Sequence, residues 1–320
     1  MNDETVISAS EMPSFNKNRV KRRMKSMGWG LFWLMFSAQF LAVVPLLIFN
    51  YLAEVGMIDA TLAQWLATDI GIYGIGLPLF YMIVRHLPKL KLEDKNYKFD
   101  LKKVIYTSLV LLGILYIFNF LALGITELLK LITGREIVDI LENAINSTTS
   151  IYTFIFVVII GPIMEEIIFR KMIIERTLDF GDTFAIVYSS LAFGLFHGNL
   201  NQTIYATMLG VALAYIYIKS GNIKYPILFH MIVNFFGSFL MPLLISTNET
   251  LSIVISVFVI ITIGIAVYTF IKYRKAIHLD ERDMPLTTKE KFKVGMLTPG
   301  FIIYTLVFIL LIIYILFFLY

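Results

Sequence analysis

Long apolar runs with few charges constrain this chain more than any other feature of its sequence. Hydrophobic residues make up 58% of the 320 positions, and charged residues make up only 16%. A soluble domain carries about 25% charged residues, and a helix needs about 20 mostly apolar residues to cross a bilayer. Because backbone polar groups in lipid must be bonded within their own segment, we expect an all-α polytopic membrane protein.

The apolar runs predict eight to nine transmembrane helices that enclose a site within the helix bundle. The predicted spans are 29–52, 68–86, 103–126, 151–169, 184–198, 203–219, 224–245, 251–272 and 301–320. No cleavable signal peptide is expected, because the first 28 residues are polar and basic. Residues 127–150 carry six charged side chains among apolar positions at helical spacing. This pattern fits an amphipathic segment on the outer membrane surface, or a soluble capping helix.

Basic residues predict the orientation of the chain. Six of them precede the first span, and the positive-inside rule therefore places the N-terminus in the cytoplasm. Four regions are predicted: a basic tail at 1–28, N-terminal helices at 29–150, a catalytic core at 151–245 and C-terminal helices at 246–320. The net charge is +4, but the basic residues lie in loops where membrane topology alone would place them, so no nucleic-acid partner is expected. Frequent Ile, Lys and Asn suggest an AT-rich bacterial genome, so the expected location is a bacterial cell membrane.

Cysteine and histidine usage narrows the chemistry. The chain has no cysteine, which excludes thiol nucleophiles, disulfides and thiolate metal sites. Of its four histidines, His86 and His278 have charged, loop-like surroundings and are expected to be solvated. His197 and His230 lie in apolar runs. Ionisable groups in hydrocarbon cost roughly 2.5–3.5 kcal/mol each and persist mostly where they pair or act.

The run from Glu165 to Arg170 contains two adjacent carboxylates. Successive side chains on a helix point about 100° apart, so Glu165 and Glu166 face different ways. Arg170 follows Glu166 by four residues, the spacing at which helical side chains meet, and the two should pair as structural support. Glu165 is then left without a partner in its helix and is the expected general base. An ion cluster at the cytoplasmic membrane edge also accounts for these residues, since Arg170 resembles a helix end.

Two further polar pairs lie in other spans. Phe193 and His197 are four residues apart, on one helical face, and the flanking Gly194 and Gly198 predict close approach of a neighbouring backbone. His230 and Asn234 share the same spacing, and such a pair can donate hydrogen bonds to a developing oxyanion. A lone membrane histidine is more often a helix–helix hydrogen-bond partner. Three polar sites on three spans favour catalysis instead.

The ordered set EExxxR, FxxxH and HxxxN, each in its own apolar run, resembles the CPBP family of intramembrane proteases. That family is grouped with type II CAAX prenyl endopeptidases and with bacteriocin-processing and immunity proteins. The resemblance covers roughly residues 150–245. It implies an endopeptidase that acts on a peptide or membrane protein within the lipid bilayer. It also implies that Glu165 and His197 activate water, while His230 and Asn234 hold the oxyanion.

Metal dependence is open from the sequence. Glu165, His197 and His230 are the ligand types of a catalytic zinc site with an open position. Metal-independent glutamate catalysis is favoured, because HExxH is absent and Glu166 is the better partner for Arg170. The favoured mechanism therefore needs no cofactor.

Two other function classes are compatible with the polar groups. One is a non-catalytic membrane scaffold or bacteriocin-immunity factor that acts by binding, which the complete motif set disfavours. The other is a transporter that uses the groups as a relay, which the absence of repeats in the sequence disfavours.

The sequence leaves open the depth of His197 in the membrane. His197 reaches the level of Glu165 if the helix carrying Glu165 continues past Arg170 to about Phe180.

Overall fold

The computed structural model describes residues 16–134, 150–247, 249–282 and 284–318. All the extended secondary structure in these ranges is helical, which confirms the expected all-α class. Asn16 caps the first helix by accepting hydrogen bonds from the backbone N–H groups of Asn18 and Arg19. Such caps satisfy donors that the first helical turn leaves without partners.

The first part of the chain folds into five α-helices. They are α1 Lys17–Phe36, α2 Val43–Glu54, α3 Ala60–Asp69, α4 Leu77–Val84 and α5 Leu101–Thr133. The π-helical turns Ser37–Leu41 and Ile70–Gly76 connect α1 to α2 and α3 to α4. Helix α5 starts where Asp100 accepts a hydrogen bond from the Lys103 N–H, and it ends at Gly134, whose φ is 69°.

The second part contains ten α-helices of very different lengths. They are α6 Ser150–Tyr152, α7 Gly161–Glu166, α8 Glu175–Thr177, α9 Asp182–Phe196, α10 Leu200–Ser220, α11 Lys224–Asn234, α12 Met241–Thr247, α13 Glu249–Tyr273, α14 Thr288–Met296 and α15 Pro299–Phe318. The π-helical segments are Thr153–Ile160, Ile167–Ile174 and Phe235–Leu240, and a 3₁₀ turn covers Leu178–Phe180.

Six stretches within the described residues are long and apolar enough to cross a membrane. They are Lys17–Glu54, Ala60–Val84, Leu101–Thr133, Leu200–Ser220, Lys224–Leu244 and Leu251–Tyr273. Helices α14 and α15 make a seventh if they count as one span bent by 69°. The predicted eight to nine is therefore slightly high. The predicted span 151–169 belongs to a helical run that carries charges, and α9, at 15 residues, is short for a span.

The structure differs from two expected boundaries. The helical run that begins at Ser150 continues past Arg170 through π, α and 3₁₀ turns to Phe180, which is the continuation left open by the sequence. Arg170 is fully buried, so it is not an exposed residue at a helix end. The proposed amphipathic segment 127–150 begins inside α5, which continues to Thr133. The part of that segment at 135–149 lies outside the described residues.

The chain divides into two compact units. The first comprises Met1–Lys91, Met172–Tyr188 and Glu281–Val307, and in it α1 packs against α4 and α14. The second comprises Leu92–Lys171, Ser189–Asp280 and Phe308–Tyr320, and in it α5 packs against α10, α11 and α13.

The core of the second unit includes buried leucines from α5 and α10 together with Phe229 and Val233 of α11. Because lipid is as apolar as leucine, these contacts stabilise the unit through van der Waals packing more than through removal from water. This packing fixes α11, which carries two of the predicted site residues.

Candidate active site

A buried ion pair lies in the second unit. The Arg170 Nε donates to Glu166 Oε2 at 2.8 Å, and Arg170 Nη2 donates to Glu166 Oε1 at 3.3 Å. Neither side chain has any solvent exposure. The predicted i,i+4 pair is therefore present, and it neutralises two charges that would be costly to bury singly.

Ser189 completes the surroundings of the arginine, and the sequence analysis missed it. Arg170 Nη1 donates to the Ser189 Oγ at 3.1 Å, while the Ser189 hydroxyl donates to the Phe169 carbonyl at 2.6 Å. Ser189 lies on α9, outside all three motifs. Its only signal in the sequence is a polar side chain within an apolar helix.

His230 contacts both adjacent glutamates. Its Nδ1 lies 3.0 Å from Glu166 Oε1, and its Nε2 lies 3.7 Å from Glu165 Oε2. The ring is buried, whereas the Glu165 side chain is 15% exposed. Since the ionised Glu166 can only accept hydrogen bonds, Nδ1 carries the proton shared with it. Nε2 is then the nitrogen directed at the more accessible carboxylate.

His197 lies in the turn directly after α9, and its tautomer follows from one contact. Its Nδ1 is 2.9 Å from the carbonyl oxygen of Phe193. A carbonyl only accepts, so Nδ1–H donates, and in the neutral ring Nε2 keeps its lone pair. The Phe193 ring packs against both His197 and His230. His197 therefore belongs to the same cluster, although it follows a different helix.

Phe193 contacts each of the two imidazoles. Its ring centroid is 4.8 Å from that of His197 and 5.7 Å from that of His230, in edge-to-face geometry in both cases. The Arg170 guanidinium lies over the same ring at 4.9 Å. The buried phenyl ring thus fixes the orientation of three site side chains through aromatic and cation–π contacts.

Two glycines near His197 have different structural roles. A Cβ on Gly194 would lie 1.9 Å from Thr207 Oγ1 and 2.8 Å from the Thr203 carbonyl, both on α10. This close approach confirms the packing role predicted for Gly194. Gly198 has a φ of 66°, which L side chains rarely adopt, and it allows the turn between α9 and α10.

Asn234 lies one turn beyond His230 on α11. Its amide nitrogen donates to the Val157 carbonyl at 2.9 Å. Val157 lies in a π-helical segment, a feature that often occurs at functional sites. Within the described residues, the Asn234 side chain forms this one hydrogen bond. The structure thus joins Glu165, Glu166, Arg170 and His230 through direct contacts and adds His197, while Asn234 contacts the π-helical segment Thr153–Ile160.

No group of three His, Asp or Glu side chains in the described ranges is close enough together to hold one metal ion. Glu165, His197 and His230 are suitable ligand types, but their present arrangement is not that of a three-ligand site.

Comparisons with known proteins agree with the motifs. Residues 147–236 match the family described as type II CAAX prenyl endopeptidase Rce1-like. YdiL of Bacillus subtilis (strain 168), named as a candidate membrane peptidase, is 40% identical over 82 residues, or 24% of this chain and 32% of YdiL. MroQ of Staphylococcus aureus (strain USA300), named a membrane-embedded CAAX protease, is 28% identical over 172 residues, or 49% of this chain and 65% of MroQ.

These matches confirm the predicted resemblance to CPBP and CAAX-type membrane peptidases. The aligned region covers less than two thirds of the length of either relative. No solved structure matches the chain significantly.

Proposed function

We propose, from the premise that residues 147–236 are Rce1-like, that this chain is an intramembrane endopeptidase. Its substrate would be a membrane-associated peptide or protein. The observation that carries the proposal is the position of His230 between two carboxylates. The buried Glu166–Arg170 pair holds one imidazole nitrogen, and the other nitrogen lies beside Glu165. An ion pair with a purely structural role would not require Glu165, a second carboxylate that solvent can reach.

Glu165 is the group that we assign to water activation. Its side chain is 15% exposed, whereas the neighbouring ion pair is inaccessible, so water reaches Glu165 first. The carboxylate takes a proton from water, and the hydroxide attacks the carbonyl carbon of the scissile peptide bond. The same proton passes to the leaving amine as the C–N bond breaks, which returns Glu165 to its ionised form.

His197 has the hydrogen-bonding state needed to assist Glu165. Its Nδ1–H is held by the Phe193 carbonyl, so the Nε2 lone pair is available to accept a hydrogen bond from the attacking water. Fixing the water between two acceptors aligns it for attack and lowers the entropic part of the barrier.

His230 and Asn234 are the proposed oxyanion donors. The Asn234 amide has two N–H bonds, and the Val157 carbonyl takes one, which leaves the second for the substrate oxygen. His230 already uses Nδ1–H toward Glu166, so it donates from Nε2 when the ring is doubly protonated. Hydrogen bonds of this kind stabilise the tetrahedral intermediate where its negative charge develops.

A zinc ion bound by Glu165, His197 and His230 would supply Lewis-acid activation of water. The present arrangement of these side chains does not fit a three-ligand site. The proposed steps therefore use only groups of the chain itself. Chelator treatment of an active preparation tests metal dependence directly.

The proposal is tested by comparing processed peptides in the native host. Three strains carry the wild-type chain, Glu165→Gln, or Glu127→Gln at equal membrane levels. Glu127 is an exposed glutamate of α5, so its substitution makes the same chemical change outside the site. We expect cleaved termini that are present with the wild-type and Glu127→Gln chains and absent with Glu165→Gln.

Identical peptide profiles in all three strains, together with a phenotype on deletion, would contradict the peptidase proposal. That result would favour a membrane scaffold or bacteriocin-immunity factor, which acts by binding and does not need Glu165 as a base.

A further inference from the structure

A cavity of about 510 Å³ lies in the first unit, distinct from the candidate active site. It is formed by α1, by α14 and by the junction of α14 with α15. Its lining residues are Lys17, Lys21, Lys25, Glu290, Lys293, Val294, Leu297, Thr298 and Pro299. We call it the lysine pocket.

The charge of the lysine pocket is strongly positive. Lys17, Lys21 and Lys25 recur every four residues and so lie on one face of α1. Lys17 pairs with Glu290 at 2.8 Å. No carboxylate in the described ranges forms an ion pair with Lys21, Lys25 or Lys293, and all three are exposed. Among the described residues that line the pocket, four lysines therefore face one carboxylate, that of Glu290, and the pocket attracts an anion.

The lysine pocket is located where the chain becomes apolar. Just beyond it, α1 and α15 cross so closely that a Cβ on Gly300 would lie 2.3 Å from the Trp29 backbone nitrogen. Tryptophan is enriched at the membrane–water interface, and the apolar helix α15 begins at Pro299. Leu297, at the rim of the pocket, is 62% exposed. The lysines match the charged headgroup of a phospholipid, and the adjacent apolar surface matches its acyl chains.

We propose that the lysine pocket binds the phosphodiester headgroup of an anionic phospholipid, with an acyl chain against Leu297. Basic pockets between transmembrane helices are suited to acidic lipid headgroups, since each lysine near the surface adds to the electrostatic attraction. A free phosphate ion shares the headgroup chemistry but has no use for the apolar rim. This proposal does not depend on the proposed peptidase function.

The full-length protein is reconstituted in phosphatidylcholine nanodiscs with or without a fixed fraction of phosphatidylglycerol. The readouts are bound lipid by native mass spectrometry and the midpoint of thermal unfolding. The pocket variant is Lys21→Gln, Lys25→Gln and Lys293→Gln combined. The control is Arg19→Gln, Arg22→Gln and Lys289→Gln combined, which removes the same charge from exposed positions of α1 and α14 outside the pocket.

Phosphatidylglycerol should bind and stabilise the wild-type and control proteins. The affinity of the pocket variant should fall about fivefold per lysine, or roughly a hundredfold in total. A Lys→Arg variant at the same three positions should retain binding, which separates loss of charge from misfolding. Equal loss in the pocket variant and the control would overturn the proposal, because it would indicate general surface attraction. Equal stabilisation by inorganic phosphate in phosphatidylcholine nanodiscs would overturn it in favour of a soluble anion.

Discussion

Each unit of this protein contains a buried arginine–carboxylate pair over a phenylalanine ring. In the first unit, Arg23 Nη2 contacts both oxygens of Asp179 at 2.7 Å, and its guanidinium lies 4.8 Å from the Phe180 ring centroid. In the second unit, Arg170 pairs with Glu166 at 2.8 Å and lies 4.9 Å from the Phe193 ring centroid.

The two pairs differ in what the carboxylate contacts besides its arginine. Both oxygens of Asp179 face Arg23, whereas Glu166 Oε1 also contacts His230, and His230 extends to Glu165. Within the described residues, no hydrogen bond extends the first pair to a further titratable group, whereas the second continues into a chain of them. An ion pair buried in a membrane protein is thus a functional candidate when a third polar group depends on it.

The largest expected effect is the loss of kcat on substituting the accessible Glu165, compared with the buried Asp179. Glu165→Gln should lower kcat by about 10²–10⁴-fold, because it removes the general base. Asp179→Asn should leave the kcat of the folded protein near the wild-type value. Peptidase assays on folded protein, normalised by size-exclusion recovery, measure both. Equal losses of kcat in the two variants would remove the proposed distinction between the pairs.

Breaking each ion pair at its arginine should produce similar losses of stability and different losses of activity. Arg170→Met and Arg23→Met each remove the arginine from a buried ion pair, which costs about 3–5 kcal/mol. Only Arg170→Met should also reduce kcat, because Arg170 fixes the Glu166 carboxylate that orients His230. Denaturant unfolding in detergent and activity of the folded fraction are the two measurements. Full activity in folded Arg170→Met would argue against a positioning role.

The third prediction concerns the proposed oxyanion donor. Asn234→Ala should lower kcat by about 10²–10³-fold, as expected for the loss of one such donor. Asn50→Ala alters an exposed asparagine of α2 and serves as the control. Single-turnover cleavage rates distinguish a slower chemical step from weaker substrate binding. A change confined to KM would assign Asn234 to binding instead.

The smallest expected effect compares two adjacent buried serines. Ser189→Ala removes the acceptor of Arg170 Nη1 and the donor to the Phe169 carbonyl, which should cost about 1–3 kcal/mol. Ser190 is equally buried, and its hydroxyl has no hydrogen-bond partner in the described part of the chain. Ser190→Ala should therefore be nearly neutral. Thermal midpoints of the two variants test this, and a larger loss for Ser190→Ala would reverse our assignment.

The fold class and most of the spans were predictable because apolar length and charge placement are local properties. The count was slightly high where charged residues interrupt the run 150–180 and where α9 is short. The sequence left open whether the helix ends at Arg170 or continues to about Phe180, because two adjacent basic residues resemble a cytoplasmic boundary, and the structure shows the continuation. In the folded chain, Glu166 neutralises Arg170 and allows the helix to continue.

The sequence alone determined the contacts that follow from spacing within one helix. The Glu166–Arg170 pair and the contact of His197 with Phe193 both arise from the four-residue period. Tertiary structure decided the contacts between helices. The bond from His230 to Glu166 joins residues 64 positions apart, and the bonds of Ser189 to Arg170 and of Asn234 to Val157 likewise join different helices. Helical periodicity fixes which side chains share a face, but only packing decides which faces meet.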